Sequence, residues 1–316
     1  MDKKKIKINF ADFWTGFNIN ENMFMNILKK KFDVDLSEKP DYLIYSDYGF
    51  THLDHDCIRF YYTGEAITPD FNVCDYAIGN DWIKIDDRYL RWPTYRRYNT
   101  LVVYKKKRDP AEILSEKTGF CNFIYTDNKS DPIRGDFFKR LSEYQFVDSM
   151  GSYLKNKEVP ELSSRFSGDW IQTKINILQK YKFTIAFENS RMSGYTTEKL
   201  VHAMQADTIP IYWGNPHVDR EFNPDSFVWV RDHSEIESCI EEIIRLNEND
   251  NLWKEKMSKA WVTSNYIKDE LTQDSLENFI FSIFDQDIKD AQRRFTSVWK
   301  EKRNKLLLEG RNKLKK

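Results

Sequence analysis

Residues 182–213 carry the clearest secondary-structure pattern in the chain, and they read KFTIAFENSRMSGYTTEKLVHAMQADTIPIYW. Apolar residues dominate Lys182–Glu188 and again Thr208–Trp213, and each run has the length of a buried strand. Between them, Thr196–Gln205 carries apolar residues at helical spacing. A strand, a helix and a second strand in this order predict parallel strands with a helix packed against them.

The same alternation continues on both sides of this stretch. Further strands are predicted at Ile6–Phe10, Tyr42–Tyr45, Ile58–Thr63, Tyr76–Gly79, Leu101–Tyr104, Phe120–Tyr125, Phe146–Asp148 and Phe227–Val230. Further helices are predicted at Asn20–Lys31, Arg134–Tyr144, Trp170–Lys180 and Glu235–Leu246. A basic run at residues 105–108, followed by Asp109-Pro110, marks a break. The chain is therefore expected to form two α/β domains, residues 1–108 and 117–285, with a cleft between them and a helical tail at 286–316.

Composition limits the functional classes. A net charge of −1 over 316 residues argues against a chain that binds nucleic acid with its whole surface. The four cysteines have no Cys-x-x-Cys spacing, so neither a zinc site nor a disulfide framework is indicated. No run approaches the roughly 20 apolar residues of a membrane span, and the N-terminus predicts a strand rather than a signal peptide. These features predict a cytoplasmic protein.

Polar residues cluster where the strand at Lys182–Glu188 ends. In α/β sheets, ligands bind in the loops after the carboxyl ends of strands. A helix that begins at Thr196 or Thr197 would present free N–H groups to phosphate, and Lys199 would add a cation. Each residue also has an ordinary explanation, since Glu198 in a first helical turn complements the helix dipole and a lysine is usually solvated.

A second candidate is Glu65, in the stretch Tyr61-Tyr-Thr-Gly-Glu65 at the end of another strand. A single loop glutamate is most often a surface carboxylate. The functional alternative is a general base that faces the cleft between the two domains.

Several motifs together resemble the α-1,3/4-fucosyltransferases of glycosyltransferase family 10, and the bacterial branch is the most similar. The matching stretches include Tyr62-Thr-Gly-Glu65, Asp75-Tyr-Ala-Ile-Gly79, Phe187-Glu-Asn-Ser190, Tyr195-Thr-Thr-Glu-Lys199 and Thr208-Ile-Pro-Ile-Tyr-Trp-Gly214. The resemblance covers about residues 5–285. It implies a GT-B type fold of two Rossmann-like α/β domains. It also implies inverting transfer of L-fucose from GDP-β-L-fucose without a cofactor.

The resemblance further implies the acceptor and the site residues. The acceptor would be the 3-hydroxyl of GlcNAc in N-acetyllactosamine, or of glucose in lactose, within an oligosaccharide or glycolipid, which gives Lewis-x-type products. The general base falls on Glu65, in the acceptor-side N-terminal domain. The donor-binding residues of the C-terminal domain fall on Arg134, Lys155, Asn189, Tyr195, Glu198 and Lys199. Lys155 stands where the family has an arginine, so the charge is kept and the bidentate geometry is lost.

Two alternatives remain at the level of the sequence. One is a related transferase with α-1,4 regiochemistry or another nucleotide sugar, and the other is a catalytically inactive module that binds GDP-sugars. Asp-x-Asp motifs, typical of metal-dependent transferases, occur at Asp33, Asp54 and Asp285, but none follows a buried strand of the donor half. No metal is therefore expected.

The tail from Lys289 onward has eleven Lys and Arg residues against three Asp and Glu residues. Phe295, Trp299 and Leu306 lie roughly on one face of a predicted helix. One interpretation is a terminal helix packed on the body of the protein, and it is favoured for the first half of the tail. The other is peripheral contact with the inner face of an anionic membrane.

Overall fold

The computed structural model describes residues 3–98, 108–162, 170–263, 272–294 and 298–314. These residues form two compact units, the first within Met1–Trp92 and Glu270–Lys316 and the second within Pro93–Asp269. Each unit has its own parallel sheet and its own hydrophobic core. The two α/β units agree with the sequence prediction, whereas their boundaries differ from it.

The first unit is built around six described strands. These are β1 (Lys5–Ala11), β2 (Asp33–Leu36), β3 (Tyr42–Tyr45), β4 (Ile58–Tyr62), β5 (Tyr76–Gly79) and β6 (Tyr89–Arg91). They pair in parallel in the order β2-β1-β3-β4-β5-β6. β3 and β4 are buried along their whole length, as expected for the centre of a parallel sheet.

The sequence predicted four of these strands and the helix α1 (Met23–Lys31). This helix begins at Met23 because the side chain of Asn22 caps it by accepting the N–H of Met25. It missed β2 and β6, which are short and lie at the two edges of the sheet. β2 alternates polar and apolar residues over only four positions, and β6 has three residues, so neither pattern is long enough to mark a strand. The predicted strand at 101–104 lies outside the described residues.

The second unit alternates strands and helices. Its helices are α2 (Pro110–Ser115), α3 (Ile133–Tyr144), α4 (Trp170–Leu178), α5 (Glu198–Gln205), α6 (Ile236–Glu248) and α7 (Asp250–Ser258). Its strands are β7 (Gly119–Phe123), β8 (Val147–Ser149), β9 (Tyr181–Phe187), β10 (Ile209–Trp213) and β11 (Val228–Trp229). They pair in parallel in the order β11-β10-β9-β7-β8, so β9 lies at the centre, as its apolar sequence requires.

The helix α8 (Gln273–Asp285) corrects the predicted domain boundary at residue 285. It belongs to the first unit, because its apolar face, which includes Ile280 and Phe284, is buried in the core formed by the first sheet. The ammonium of Lys4, at the start of the sheet, donates to the carbonyl oxygens of Phe284 and of the two residues that follow it. The chain thus leaves the second unit and returns to complete the first.

The tail is held by arginines rather than by the predicted apolar face. After α9 (Ile288–Ala291), the guanidinium of Arg294 donates from Nε to the buried carboxylate of Asp75 at 2.8 Å. The last helix, α10 (Val298–Leu314), leaves Trp299 65% and Leu306 53% exposed. The prediction that Trp299 packs on the body is therefore wrong. Leu306 lies in the second half of the tail, for which both interpretations were left open, and Phe295 lies outside the described residues.

Among the helices of the described ranges, none combines the length and the apolar composition that crossing a bilayer requires.

Candidate active site

Glu188, the residue that follows β9, organises the loop between β9 and α5, and its side chain is fully buried. Its carboxylate accepts the backbone N–H of Thr197 at 2.7 Å and the Thr197 hydroxyl at 2.6 Å. The ammonium of Lys199 lies 3.2 Å from the same carboxylate. Glu188 therefore ties the end of β9 to the first turn of α5. Sequence reasoning gave this residue no role, although a glutamate directly after an apolar strand was a usable signal.

Glu188 occupies part of the anion site that the sequence predicts at the N-terminus of α5. Thr197 is the N-cap, as predicted, but its N–H is already bonded to Glu188. The Lys199 side chain keeps 18% of its surface exposed. Burial alone would lower the pKa of Lys199, but Glu188 and Glu198 raise it well above its ordinary value. The ammonium is therefore charged and held in place, with part of its surface open to solvent.

Glu198, the first residue of α5, is half-buried beside two lysines. Burial alone would raise its pKa, but Lys199 and Lys174 lower it to about 2. Burial, reinforced by Lys174, lowers the pKa of the neighbouring His202 to about 3, which favours its neutral form. At neutral pH the first turn of α5 therefore presents one carboxylate and one ammonium, with a neutral imidazole behind them.

Arg134 and Asn189, both predicted to bind the donor, are in direct contact. The guanidinium of Arg134 donates to the Asn189 side-chain oxygen at 2.8 Å and to the Glu188 carbonyl oxygen at 2.8 Å. It also lies 4.0 Å from the ring centroid of Tyr125 and is almost completely buried. The hydrogen bonds of Arg134 thus hold the loop in place, and they orient the side-chain amide of Asn189 next to Glu188.

The strand end that follows β10 supports the same loop. Gly214 has a φ of 146°, and a Cβ there would lie 2.5 Å from Cγ of Glu188, so only glycine leaves room for this glutamate. The Asn215 side-chain oxygen accepts the N–H of Gly194 at 2.9 Å. Tyr195, predicted to bind the donor, is 2% exposed and is packed within the loop. Asn215 is a second residue to which sequence reasoning gave no role, and its position directly after the strand and Gly214 was the available signal.

Lys155 does not share the contacts of this cluster. Its ammonium bonds the carboxylate of Glu158 at 2.7 Å in an exposed pair three residues apart. The neighbouring Asn156 shapes this loop, because its side chain accepts the N–H of Ser149 and donates to the carbonyl oxygen of Val147. The pyrophosphate role implied for Lys155 thus stays a prediction.

In the first unit, the loop after β4 carries Glu65, which is partly exposed. Its backbone N–H donates to the Thr63 hydroxyl oxygen at 3.0 Å, and its carbonyl oxygen accepts the Asn80 amide at 3.0 Å. Its carboxylate accepts the Tyr48 hydroxyl at 3.0 Å. Thr63 in turn donates to the carboxylate of Asp47 at 2.7 Å. A carboxylate on a braced loop, with part of its surface open, can accept a proton from a bound hydroxyl.

Within the described residues, no three His, Cys, Asp or Glu side chains are grouped as a metal site would require. His52 bonds the carboxylate of Asp12 through Nδ1 at 2.7 Å. Hydrogen bonds from the side chain and backbone of His52 outweigh the opposing effect of burial and lower the pKa of Asp12. This pair holds the loop beside β3 in place.

Two family models match the chain. Residues 8–98 match the N-terminal domain of the α-(1,3)-fucosyltransferase FucT, and residues 114–284 match the C-terminal domain of glycosyltransferase family 10, the fucosyltransferases. The second match alone covers more than half of the chain. The two matched segments lie mostly in the first and the second unit, respectively.

Similar proteins agree with these matches. An α-(1,3)-fucosyltransferase from Helicobacter pylori is 31% identical over 292 residues, which cover 78% of this chain and 58% of that protein. A putative fucosyltransferase of Acanthamoeba polyphaga mimivirus is 27% identical over 295 residues, which cover 88% of this chain and 47% of that protein. The chain thus spans roughly half the length of these curated relatives.

Solved structures give the same result for the fold. A crystal structure of an α-1,3-fucosyltransferase superposes with a TM-score of 0.73 at 26% identity, covering 93% of this chain and 94% of the other. A second, with GDP-fucose, gives 0.71 at 26% identity and covers 94% of each chain. Two Rossmann-like α/β units of the GT-B type, as predicted, are thereby confirmed.

Proposed function

Because the chain belongs to glycosyltransferase family 10, the fucosyltransferases, we propose that it transfers L-fucose from GDP-β-L-fucose to a glycan hydroxyl with inversion at the sugar carbon. The observation that carries this proposal is the fixed, charged Lys199. It lies in the first turn of α5, beside the end of β9, and is held by Glu188 and Thr197. A confined cation at a strand end suits the diphosphate of a nucleotide sugar. The second unit would bind the donor, and the first would bind the acceptor.

In this reaction Glu65 acts as the general base. It takes the proton of the acceptor hydroxyl while that oxygen forms a bond to C1 of fucose. The bond between C1 and the phosphate oxygen breaks at the same time, and GDP leaves with the electron pair. Lys199 stabilises the negative charge that develops on the leaving phosphate. Asn189 and Glu198 would contact the donor, and the buried side chains of Tyr195 and Arg134 would hold the loop around it.

The acceptor belongs to the same proposal. We infer the 3-hydroxyl of GlcNAc in N-acetyllactosamine, or of glucose in lactose, because the chain is similar to proteins described as α-1,3-fucosyltransferases. The acceptor can be free or carried on a glycolipid, and the product would have a Lewis-x-type linkage. The basic face of α10, which includes Lys302, Lys305 and Lys313, would place the protein on an anionic membrane surface.

The deciding experiment offers purified protein GDP-fucose with N-acetyllactosamine, lactose, or the isomer in which galactose is linked to the 3-position of GlcNAc. GDP release gives the rate, and NMR of the product gives the linkage. Turnover of the first two acceptors with an α-1,3 product supports the proposal, whereas turnover of the isomer alone indicates α-1,4 transfer. GDP-mannose and UDP-galactose test the donor. Binding of GDP without turnover of any donor would indicate an inactive binding module.

The membrane contact has its own test. Full-length protein and a variant truncated after Arg294 are sedimented with vesicles of phosphatidylcholine, with and without phosphatidylserine. We expect salt-reversible binding of the full-length chain to the anionic vesicles alone, and loss of this binding on truncation. Equal binding of both proteins would exclude the tail as the contact.

A further inference from the structure

The Glu65 carboxylate and the Glu65 backbone are held by different groups. Thr63 and Asn80 bond the backbone N–H and carbonyl oxygen, and they fix the loop without contacting the carboxylate. Thr63 is anchored in turn by the carboxylate of Asp47. Within the described part of the chain, Tyr48 is the one side chain that donates to the Glu65 carboxylate, at 3.0 Å to Oε1. Loss of the Tyr48 hydroxyl would therefore free the carboxylate and leave the loop in place.

The sheet explains why Tyr48 and Glu65 meet. β3 and β4 are parallel neighbours with Tyr45 opposite Tyr61, so the residues that follow both strands emerge at the same edge. The backbone N–H of Tyr48 donates to the carbonyl oxygen of Asp12 at 2.9 Å, which anchors the start of the side chain. Burial, with the negative charge of Glu65 next in importance, raises the pKa of Tyr48 to about 12. The hydroxyl is therefore a proton donor at every working pH.

Most of the Tyr48 ring is not used for packing. The residue is 55% exposed, and its ring meets Trp14 edge-on with centroids 6.4 Å apart. Tyr48 thus contributes little to the core, while its hydroxyl bonds a partly exposed carboxylate. Its hydrogen bond occupies Oε1, and among the described residues no side-chain donor is bonded to Oε2.

We propose that Tyr48 is a positioning residue for Glu65 in the transfer reaction. This inference rests on the proposed function, in which Glu65 is the general base. With Oε1 held by the Tyr48 hydroxyl, Oε2 is presented to the acceptor hydroxyl and receives its proton as the new bond to the sugar carbon forms. Tyr48 itself exchanges no proton in this step.

The first test is Tyr48→Phe, which removes the hydroxyl and keeps the ring. We expect kcat to fall about 10- to 100-fold, the scale on which a reacting group loses its orientation. The KM values for GDP-fucose and for the acceptor should stay within about twofold, because the ring and the donor site are unchanged. Tyr42→Phe is the matched control, since its hydroxyl lies buried at the far end of β3 without a hydrogen-bond partner in the described structure. It should leave kcat unchanged.

Glu65→Gln, measured in parallel, separates this proposal from the proposed function. If Glu65→Gln keeps full activity, the assignment of the base fails, and the role of Tyr48 fails with it. If Glu65→Gln is inactive while Tyr48→Phe matches the parent protein, only the positioning role fails. A rise in acceptor KM without a fall in kcat would also overturn it, because Tyr48 would then only bind the acceptor.

The double variant tests whether Tyr48 and Glu65 act through the same group. Tyr48→Phe should add no further loss of kcat to Glu65→Gln, because it acts only through that carboxylate. Additive losses would contradict the proposal. Thermal melting of each variant, compared with Tyr42→Phe, shows whether a lost rate reflects lost structure.

Discussion

The tie between Glu188 and α5 predicts that Glu188→Gln is strongly destabilising. Glutamine has the same shape and still accepts the Thr197 N–H, but it places an uncharged amide against the Lys199 ammonium. Removing one partner of a buried ion pair costs about 3–5 kcal/mol. Lys199 keeps 18% of its surface exposed and remains attracted to Glu198, and burial raises the pKa of Glu188 itself, so part of that cost is offset. We expect the free energy of unfolding to fall by about 2–4 kcal/mol.

The chain contains a matched control for this experiment. Glu158 and Lys155 also form a carboxylate–ammonium pair, and their 2.7 Å separation is shorter than the 3.2 Å between Glu188 and Lys199. The Glu158 side chain is 82% exposed, however, and an exposed pair contributes only about 0–1 kcal/mol. Glu158→Gln should therefore have little effect although its pair is the closer one.

Urea unfolding followed by tryptophan fluorescence measures both variants, and calorimetric titration with GDP shows whether the donor site survives. We expect Glu188→Gln to weaken GDP binding as well, because Lys199 and the first turn of α5 lose their fixed position. Equal destabilisation by the two substitutions would refute the argument that burial, rather than distance, sets the contribution of Glu188.

Four other predictions concern the donor, the metal and the tail. Lys199→Ala should weaken GDP-fucose binding, measured by calorimetry, more than it raises the acceptor KM, and the reverse result would remove Lys199 from the donor site. Transfer activity should persist in EDTA, and complete loss that Mn²⁺ restores would establish a metal requirement. Asp75→Asn should lower the free energy of unfolding by about 3 kcal/mol, because Asp75 is the buried acceptor for Arg294. Truncation after residue 290 should lower the melting temperature because it removes Arg294, while truncation after residue 303 should not. Equal melting temperatures of the two truncated chains would contradict the stabilising role of the Asp75–Arg294 pair.

Much of the fold could be predicted because it is encoded locally. β9 is dominated by apolar residues, and α5 begins at a threonine cap, so both were evident from pattern alone. The position of α8 was not evident, because its apolar face fits any sheet, and only the packing of Ile280 and Phe284 shows which core it completes. The same applies to the Asp75–Arg294 pair, whose partners are 219 residues apart.

The candidate site shows why similar local patterns can lead to different roles. Glu65 and Glu188 both follow apolar strands near the edge where ligands bind, so spacing alone cannot separate them. Burial and hydrogen bonding distinguish the two glutamates. Glu188 is fully enclosed and accepts two bonds from Thr197 and one from Lys199, so its oxygens are committed to holding the loop. Glu65 is partly exposed and, among the described residues, accepts one side-chain donor, which leaves an oxygen able to take a proton from a substrate.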